Sequence, residues 1–384
     1  MKLVYLYLSL FNSGGTERVL HNKVCSLIRR GGYEITIITT DQGSKPNFFV
    51  FPTSVNLIDL GINYSSINTR NPFRRFIQTY KKKRLHLKRL SDQLNKIKPD
   101  ITITVYPSIA VPLSKIKDGS KKIIEFHSNR YFRLNQGYRG IHQIVAKYRT
   151  WQDYQFIKKF DGLVVLTKEG AKQWQGISNV RVIPNTAPSQ QIVLNDLPSS
   201  KERRVIAVGR LVWEKGYDRL IQAWSLLPKE ILAEWELVIF GAGEQKNNLE
   251  NLIKKQNVSS SVSIKKPTKQ IFNEYAKSSF FVMTSRSEGF GMVLVEAMSC
   301  GLPAISFDFS CGPKEIIENG VNGFLVDDGN IQDFAARMEQ LICNDSLRSS
   351  FSKKAQLVID KYSEEKIMQK WVTFFAELAP PSST

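Results

Sequence analysis

Cysteine is scarce and scattered: Cys25, Cys300, Cys311 and Cys343 are spaced neither as metal ligands nor as a disulfide framework. With no export signal they are expected to be reduced thiols, and no metal site is expected. No apolar run reaches the roughly 20 residues that cross a bilayer. The opening Met1-Lys2-Leu3-Val4-Tyr5-Leu6 imitates a signal sequence but lacks a small-residue cleavage site, and it leads into a Gly-Gly turn. It reads as a first strand, and a cytoplasmic protein follows. Acidic residues are also few, 35 Asp and Glu against 54 Lys and Arg, for a net charge of +19. That imbalance implies an anionic partner: nucleic acid, acidic lipid or a phosphorylated substrate. What is present is ordinary for a folded soluble chain, with 42% hydrophobic and 23% charged residues over a length that suits two domains.

The pattern along the chain alternates short β-branched runs with helical periodicity, as an open α/β sheet requires. Leu3–Ser9, Tyr33–Thr40, Ile101–Tyr106, Ile123–Phe126, Leu163–Thr167 and Val180–Asn185 read as strands of a first half. Helices are expected over Thr16–Arg30, Phe73–Lys98 and Ile141–Phe160. A polar, proline-bearing stretch, Ala187–Arg203, reads as a linker. The alternation then restarts with strands at Arg204–Val208, Leu237–Phe240, Val262–Lys265 and Phe280–Thr284, and later helices from Ile331, Ser346 and Ser363. No short internal repeat is found.

Candidate binding residues fall in the strand-to-helix turns. Gly14 and Gly15, after the first strand, can turn the chain and aim amides at a phosphate. His127 stands at the carboxyl end of a predicted strand, the usual ligand edge of such sheets. Gly209-Arg210-Leu211-Val212-Trp213-Glu214-Lys215-Gly216 puts two cations on one loop, able to neutralise charge growing on a departing diphosphate. The richest stretch is Ser285-Arg286-Ser287-Glu288-Gly289-Phe290-Gly291-Met292-Val293-Leu294-Val295-Glu296: a glycine-flexed loop with one carboxylate, then a helix start with another. Gly241-Ala242-Gly243 lacks the third glycine and the downstream acid of a dinucleotide fingerprint. Residues Phe73–Lys98 carry ten Lys and Arg (among them Lys81, Lys82, Lys83 and Arg84) against Asp92 alone. That segment is either a solvated face or a site for anionic lipid.

Glu288 to Glu296, followed by Ala297-Met298-Ser299-Cys300-Gly301-Leu302-Pro303, resembles the glutamate, seven residues, glutamate signature of retaining glycosyltransferases of family 4. The remaining segments occur in that family's order. The resemblance implies the GT-B fold: two Rossmann-like α/β domains, residues 1–190 and 191–362, facing across a cleft, with a final helix of about residues 363–384 crossing back. It implies a nucleotide-sugar donor, expected to be a UDP-sugar, in the second domain and a glycan acceptor on the first, with no cofactor and no metal.

In the family's roles, Glu296 would bind the ribose, Glu288 and the backbone of Gly289, Phe290, Gly291, Met292 and Val293 the sugar, and Gly209, Arg210 and Lys215 the diphosphate. Lys266 would stand near the base, and Gly14 and Gly15 near the diphosphate. His127, Arg210, Lys215 and Glu288 form the expected catalytic set. Arg130 and Arg133 are candidates for the acceptor, and Lys81–Arg84 for an anionic membrane surface carrying a polyprenyl-diphosphate-linked acceptor. Two rivals are a nucleotide-sugar 2-epimerase of similar architecture and a nucleic-acid-binding protein. The second is weakened by the lack of any nucleic-acid motif, so no nucleic-acid partner is expected.

Overall fold

Short β-branched, apolar runs, three to six residues long, become strands buried on both faces, because helices cover each side of a parallel sheet. In the computed structural model, which describes residues 1–12, 14–69, 71–106, 110–134, 140–188 and 202–380, two such sheets form. Among the described residues the first holds β1 (Lys2–Tyr7), β2 (Glu34–Thr39), β3 (Asn56–Asp59), β4 (Ile101–Val105), β5 (Lys121–Phe126), β6 (Gly162–Val165) and β7 (Val180–Val182), in the order β3-β2-β1-β4-β5-β6-β7. The second holds β8 (Arg204–Val208), β9 (Glu236–Phe240), β10 (Val262–Lys265), β11 (Phe280–Met283), β12 (Ala304–Asp308) and β13 (Gly323–Asp327), in the order β10-β9-β8-β11-β12-β13. Every strand pair is parallel. Both orders reverse between the first and fourth strand, and ligands of open α/β sheets lie in the crevice at that reversal. These are two Rossmann-like domains. The expected linker lies largely outside the described residues, since 189–201 are not among them.

No helix among the described residues is long and apolar enough to cross a membrane. The last one, Glu364–Leu378, buries Ile367, Met368, Trp371, Phe374 and Phe375. It lies on the first domain: Arg181 pairs with Glu377 at 2.6 Å and Arg29 pairs with Glu364. Gly162 of β6 makes room for it, since a Cβ there would stand 2.5 Å from the Phe374 ring.

The basic helix runs from Pro72 to Ile97, one residue from its expected bounds at each end. Asn71 starts it by accepting from the amides of Phe73 and Arg74 at 3.0 and 3.1 Å, and Pro72 occupies the first turn, where no backbone donor is needed. Leu90 and Leu94 anchor its second half, with His86 buried one turn earlier and hydrogen-bonded to the Tyr64 hydroxyl at 3.0 Å. Burial lowers His86 to about 4, with Asp41 opposing. The unfolded chain protonates this imidazole near pH 6.5 and the folded one only near pH 4, so the unfolded state binds more protons between those values. Stability is therefore whole above pH 6.5 and is expected to fall, by up to about 3 kcal/mol, as pH drops to 4. Urea midpoints measured across that range check it, and His86→Gln should remove this share of the slope.

Candidate active site

The two sheets meet by their carboxyl edges. Loop Ser285–Gly291 leaves β11 and reaches the first domain where β5 ends: a Cβ on Gly289 would lie 2.0 Å from the His127 carbonyl oxygen, so only glycine permits the approach. Gly291 then adopts φ +91° to start the helix Met292–Ser299, whose first amides, Met292 and Val293, have no acceptor within the helix. Phe290 turns inward and packs edge-on against Tyr362, with ring centres 5.2 Å apart. Its backbone, not its ring, is therefore what the cleft receives.

Glu288 is bound on both sides. Lys215 pairs with its carboxylate, and the Ser285 hydroxyl donates to the same oxygen at 2.8 Å. The carboxylate of Asp218, an alternative partner for the loop cations, is used otherwise. Asp218 takes both arms of Arg286, at 2.8 and 2.5 Å, and the Glu214 carbonyl accepts from the Arg286 amide. Arg210 is exposed and has no ion pair among the described residues, and Lys266 is likewise exposed. Gly209 lies beneath this loop, against the aliphatic stem of Lys215. The Gly241–Gly243 turn supports the loop from below, Leu211 donating to the Ala242 carbonyl at 2.8 Å. That support explains the glycines left over from a dinucleotide fingerprint.

His127 ends a buried chain of charges that periodicity alone did not pick out. Its Nε2 lies 2.9 Å from one oxygen of Glu125, whose other oxygen takes Lys23 Nζ at 2.6 Å. A carboxylate only accepts, so Nε2 carries the proton and the opposite nitrogen is left for a ligand. Burial alone would push Glu125 up, but Lys23 and the His127 hydrogen bond outweigh it and hold the carboxyl at about 2. Trp371 of the last helix covers Lys23, its ring centre 3.8 Å from Nζ. The sequence does carry the signal. Lys23 interrupts the apolar face Leu20, Val24, Leu27, and Glu125 sits inside an apolar strand; buried charges of opposite sign must meet.

Glu296 is buried one helical turn further in. Burial raises its carboxyl, while Arg18 of the first domain, 3.0 Å away, lowers it. This ion pair spans the cleft, and Arg18, like Lys23 and Glu125, was not singled out from the sequence. Its signal is a cation in the first turn of a helix, where the dipole disfavours it unless an acid faces it. Gly14 begins that helix with the Glu17 carboxylate folded against it, and Gly15 beside it is open, with nothing within 4 Å of a Cβ. The helix start expected to receive a phosphate thus already holds an acid of its own.

Arg130 and Arg133 are engaged within the first domain. The Arg130 guanidinium lies over the rings of Tyr154 and Trp174, at 4.6 and 5.1 Å, and donates to the Gln173 carbonyl. Arg133 pairs with Asp153 at 3.2 Å and bonds the Tyr106 hydroxyl. Lys82 turns back onto the Ile62 carbonyl and the Ser66 hydroxyl, both at 2.8 Å, whereas Lys81, Lys83 and Arg84 stay exposed.

Residues 191–358 match the family described as glycosyl transferases group 1, and residues 13–190 match glycosyltransferase family 4. An uncharacterised glycosyltransferase of Haemophilus influenzae is 30% identical over 376 residues, 96% of this chain and 98% of that protein. The amylovoran biosynthesis glycosyltransferase AmsD of Erwinia amylovora is 39% identical over 199 residues, 51% of this chain and 55% of its own length. Among solved structures, a variant of Staphylococcus aureus TarM in complex with fondaparinux, α-GlcNAc-glycerol and UDP superposes with a TM-score of 0.78 at 17% identity, over 97% of this chain and 99% of that one. At that identity the likeness speaks for the fold.

Proposed function

The chain belongs to the glycosyltransferases of group 1 and family 4, and from that premise we propose that it moves a sugar from a UDP-sugar to a glycan acceptor, with retention at the anomeric carbon. The observation that carries this reading is the Glu288–Lys215 pair on a loop whose Gly289 presses on the His127 backbone of the opposite domain. Lys215 and Arg210 stand where a diphosphate would need cations, and this arrangement works without a metal ion. Glu288 and the Met292 and Val293 amides then face the sugar, and Glu296 faces the ribose once Arg18 yields it.

In this reading the bond from the anomeric carbon to the diphosphate oxygen breaks on the same face on which the acceptor oxygen attaches. The acceptor's hydroxyl proton passes to the departing phosphate oxygen. Lys215 and Arg210 stabilise the charge that accumulates there, and His127 holds the acceptor side through its free nitrogen. Glu288 is already tied to Lys215, which favours a binding role over that of a nucleophile.

The acceptor proposed is a polyprenyl-diphosphate-linked glycan at the cytoplasmic face of the membrane, in the assembly of a cell-surface polysaccharide. The exposed cations of the basic helix and the net charge support it. A panel of nucleotide sugars in a thermal-shift assay tests the donor, and UDP and a UDP-sugar are expected to raise the melting temperature. EDTA is expected to leave both the shift and the transfer rate unchanged, and loss of transfer restored by Mg²⁺ would overturn the metal-independent mechanism.

A further inference from the structure

Helix Ile141–Ile157 lies with its polarity reversed for a surface helix. Ala146 and Thr150 face the protein, while Ile141, Ile144, Tyr148 and Trp151 are 71, 68, 57 and 55% exposed and Val145 is 41% exposed. Their spacing of three, four and seven residues sets them in one stripe. The basic helix repeats the device at its start. Phe73, Phe76, Ile77 and Tyr80 follow the same spacing, and the two phenylalanines are 72 and 69% exposed.

Topology brings the two stripes to the same end of one face. Both helices connect strands that progress in the same direction across the sheet, and right-handed crossovers put them on a common side. Their far ends agree, since Leu90, Leu94 and Ile157 share one core with Val4, Leu6 and Ile124. Each helix begins where a strand's carboxyl edge leaves off, so both exposed starts rise at the edge that carries His127.

The charge around them has one sign. Residues 60–91 and 126–152 contain no Asp or Glu. Arg74, Arg75, Lys81, Lys83 and Arg84 flank the first stripe, and Lys147 and Arg149 lie to either side of the second. Apolar side chains bordered by long cations are the pattern of a helix lying in a lipid interface, with stems in the acyl boundary and heads on anionic headgroups. A second copy of this chain would bring like-charged rims together, and the repulsion disfavours it.

We propose that the first turns of these two helices form a surface that docks on an anionic bilayer and sets the mouth of the cleft against it. Its purpose rests on the lipid-linked acceptor proposed above; its evidence is the two stripes. Flotation with vesicles of phosphatidylglycerol and phosphatidylcholine, against phosphatidylcholine alone, tests it with the full chain, Ile144→Glu/Tyr148→Glu and Phe73→Glu/Phe76→Glu. The parent is expected to float with the anionic vesicles only, and each double variant to lose at least tenfold of the bound fraction while keeping its thermal shift with UDP. Failure of the parent to float overturns the proposal, as do variants that float as well as the parent. A parent dimer that the variants break would assign the surface to a second copy instead. Flotation without any UDP shift leaves the docking surface standing and refutes the donor reading.

Discussion

Lys23→Met is expected to destabilise the fold by about 3–5 kcal/mol, although methionine nearly matches lysine in length and suits an apolar site. The reason is the group left behind. Glu125 lies within β5, fully enclosed, and Lys23 holds one of its oxygens at 2.6 Å. Without Lys23 the carboxylate keeps only His127 as partner, and an uncompensated charge in a protein interior costs far more than a lost contact. Glu125→Gln has the mirror defect, because the buried ammonium loses its counter-charge and keeps only an amide oxygen and the faces of Trp371 and Tyr5. Combining Lys23→Met with Glu125→Gln removes both charges, and the double variant should recover most of the loss. Urea unfolding of the four proteins in the cycle gives the answer. If the double variant is as unstable as the sum of the singles, the pair is not what the site depends on. Transfer activity is expected to remain low even where stability returns, because His127 loses the carboxylate that fixes its proton on Nε2.

Arg210→Ala is expected to lower kcat by about 10²–10³-fold, some 3–4 kcal/mol of transition-state stabilisation, with no change in melting temperature. Arg210 is exposed and engages no acid among the described residues, so its removal costs the folded protein little. In the proposed mechanism its value lies in charge that exists only as the sugar leaves. Arg210→Lys should restore a part, since a point charge replaces a planar fork. Glu288→Ala differs in kind. It removes the acid proposed to face the sugar and also strips Lys215 of its partner, so activity is expected to fall by a similar factor and stability with it. Steady-state rates and melting curves of the same preparations separate the two. Parental rates in both folded variants would falsify the assignment of the cleft.

Much of this arrangement could be read from residue order. Strands β8 and β10 fall on their expected residues, because an apolar run between turn residues has little choice once helices lie on both faces. β3 escaped notice: Asn56–Asp59 is an edge strand with polar ends, and its pairing with β2, not its composition, makes it a strand. The short helices Lys229–Glu234, Lys246–Lys255 and Ile271–Lys277 were missed for the related reason that each is held by what it packs on. At the site, Glu288 and Lys215 could be named separately, whereas their contact is long-range. Arg18 and Lys23 each leave a local signal in the sequence, but their partners come from a distant helix and a different strand, so the pairs themselves could not be read from it. Arg130 and Arg133 look like free cations in the sequence, yet aromatic rings and Asp153 take them up in space.

The last helix closes over Lys23 and completes the wall of a domain that begins some 360 residues earlier in the chain. A fragment cut at the linker would therefore present Gly162, Tyr33 and the Lys23–Glu125 pair to water, and would need the missing segment supplied as a separate peptide to become soluble. During synthesis the ribosome delivers that segment only after the whole second domain. The amino-terminal half must wait, incompletely covered, until the helix beyond the second domain has emerged.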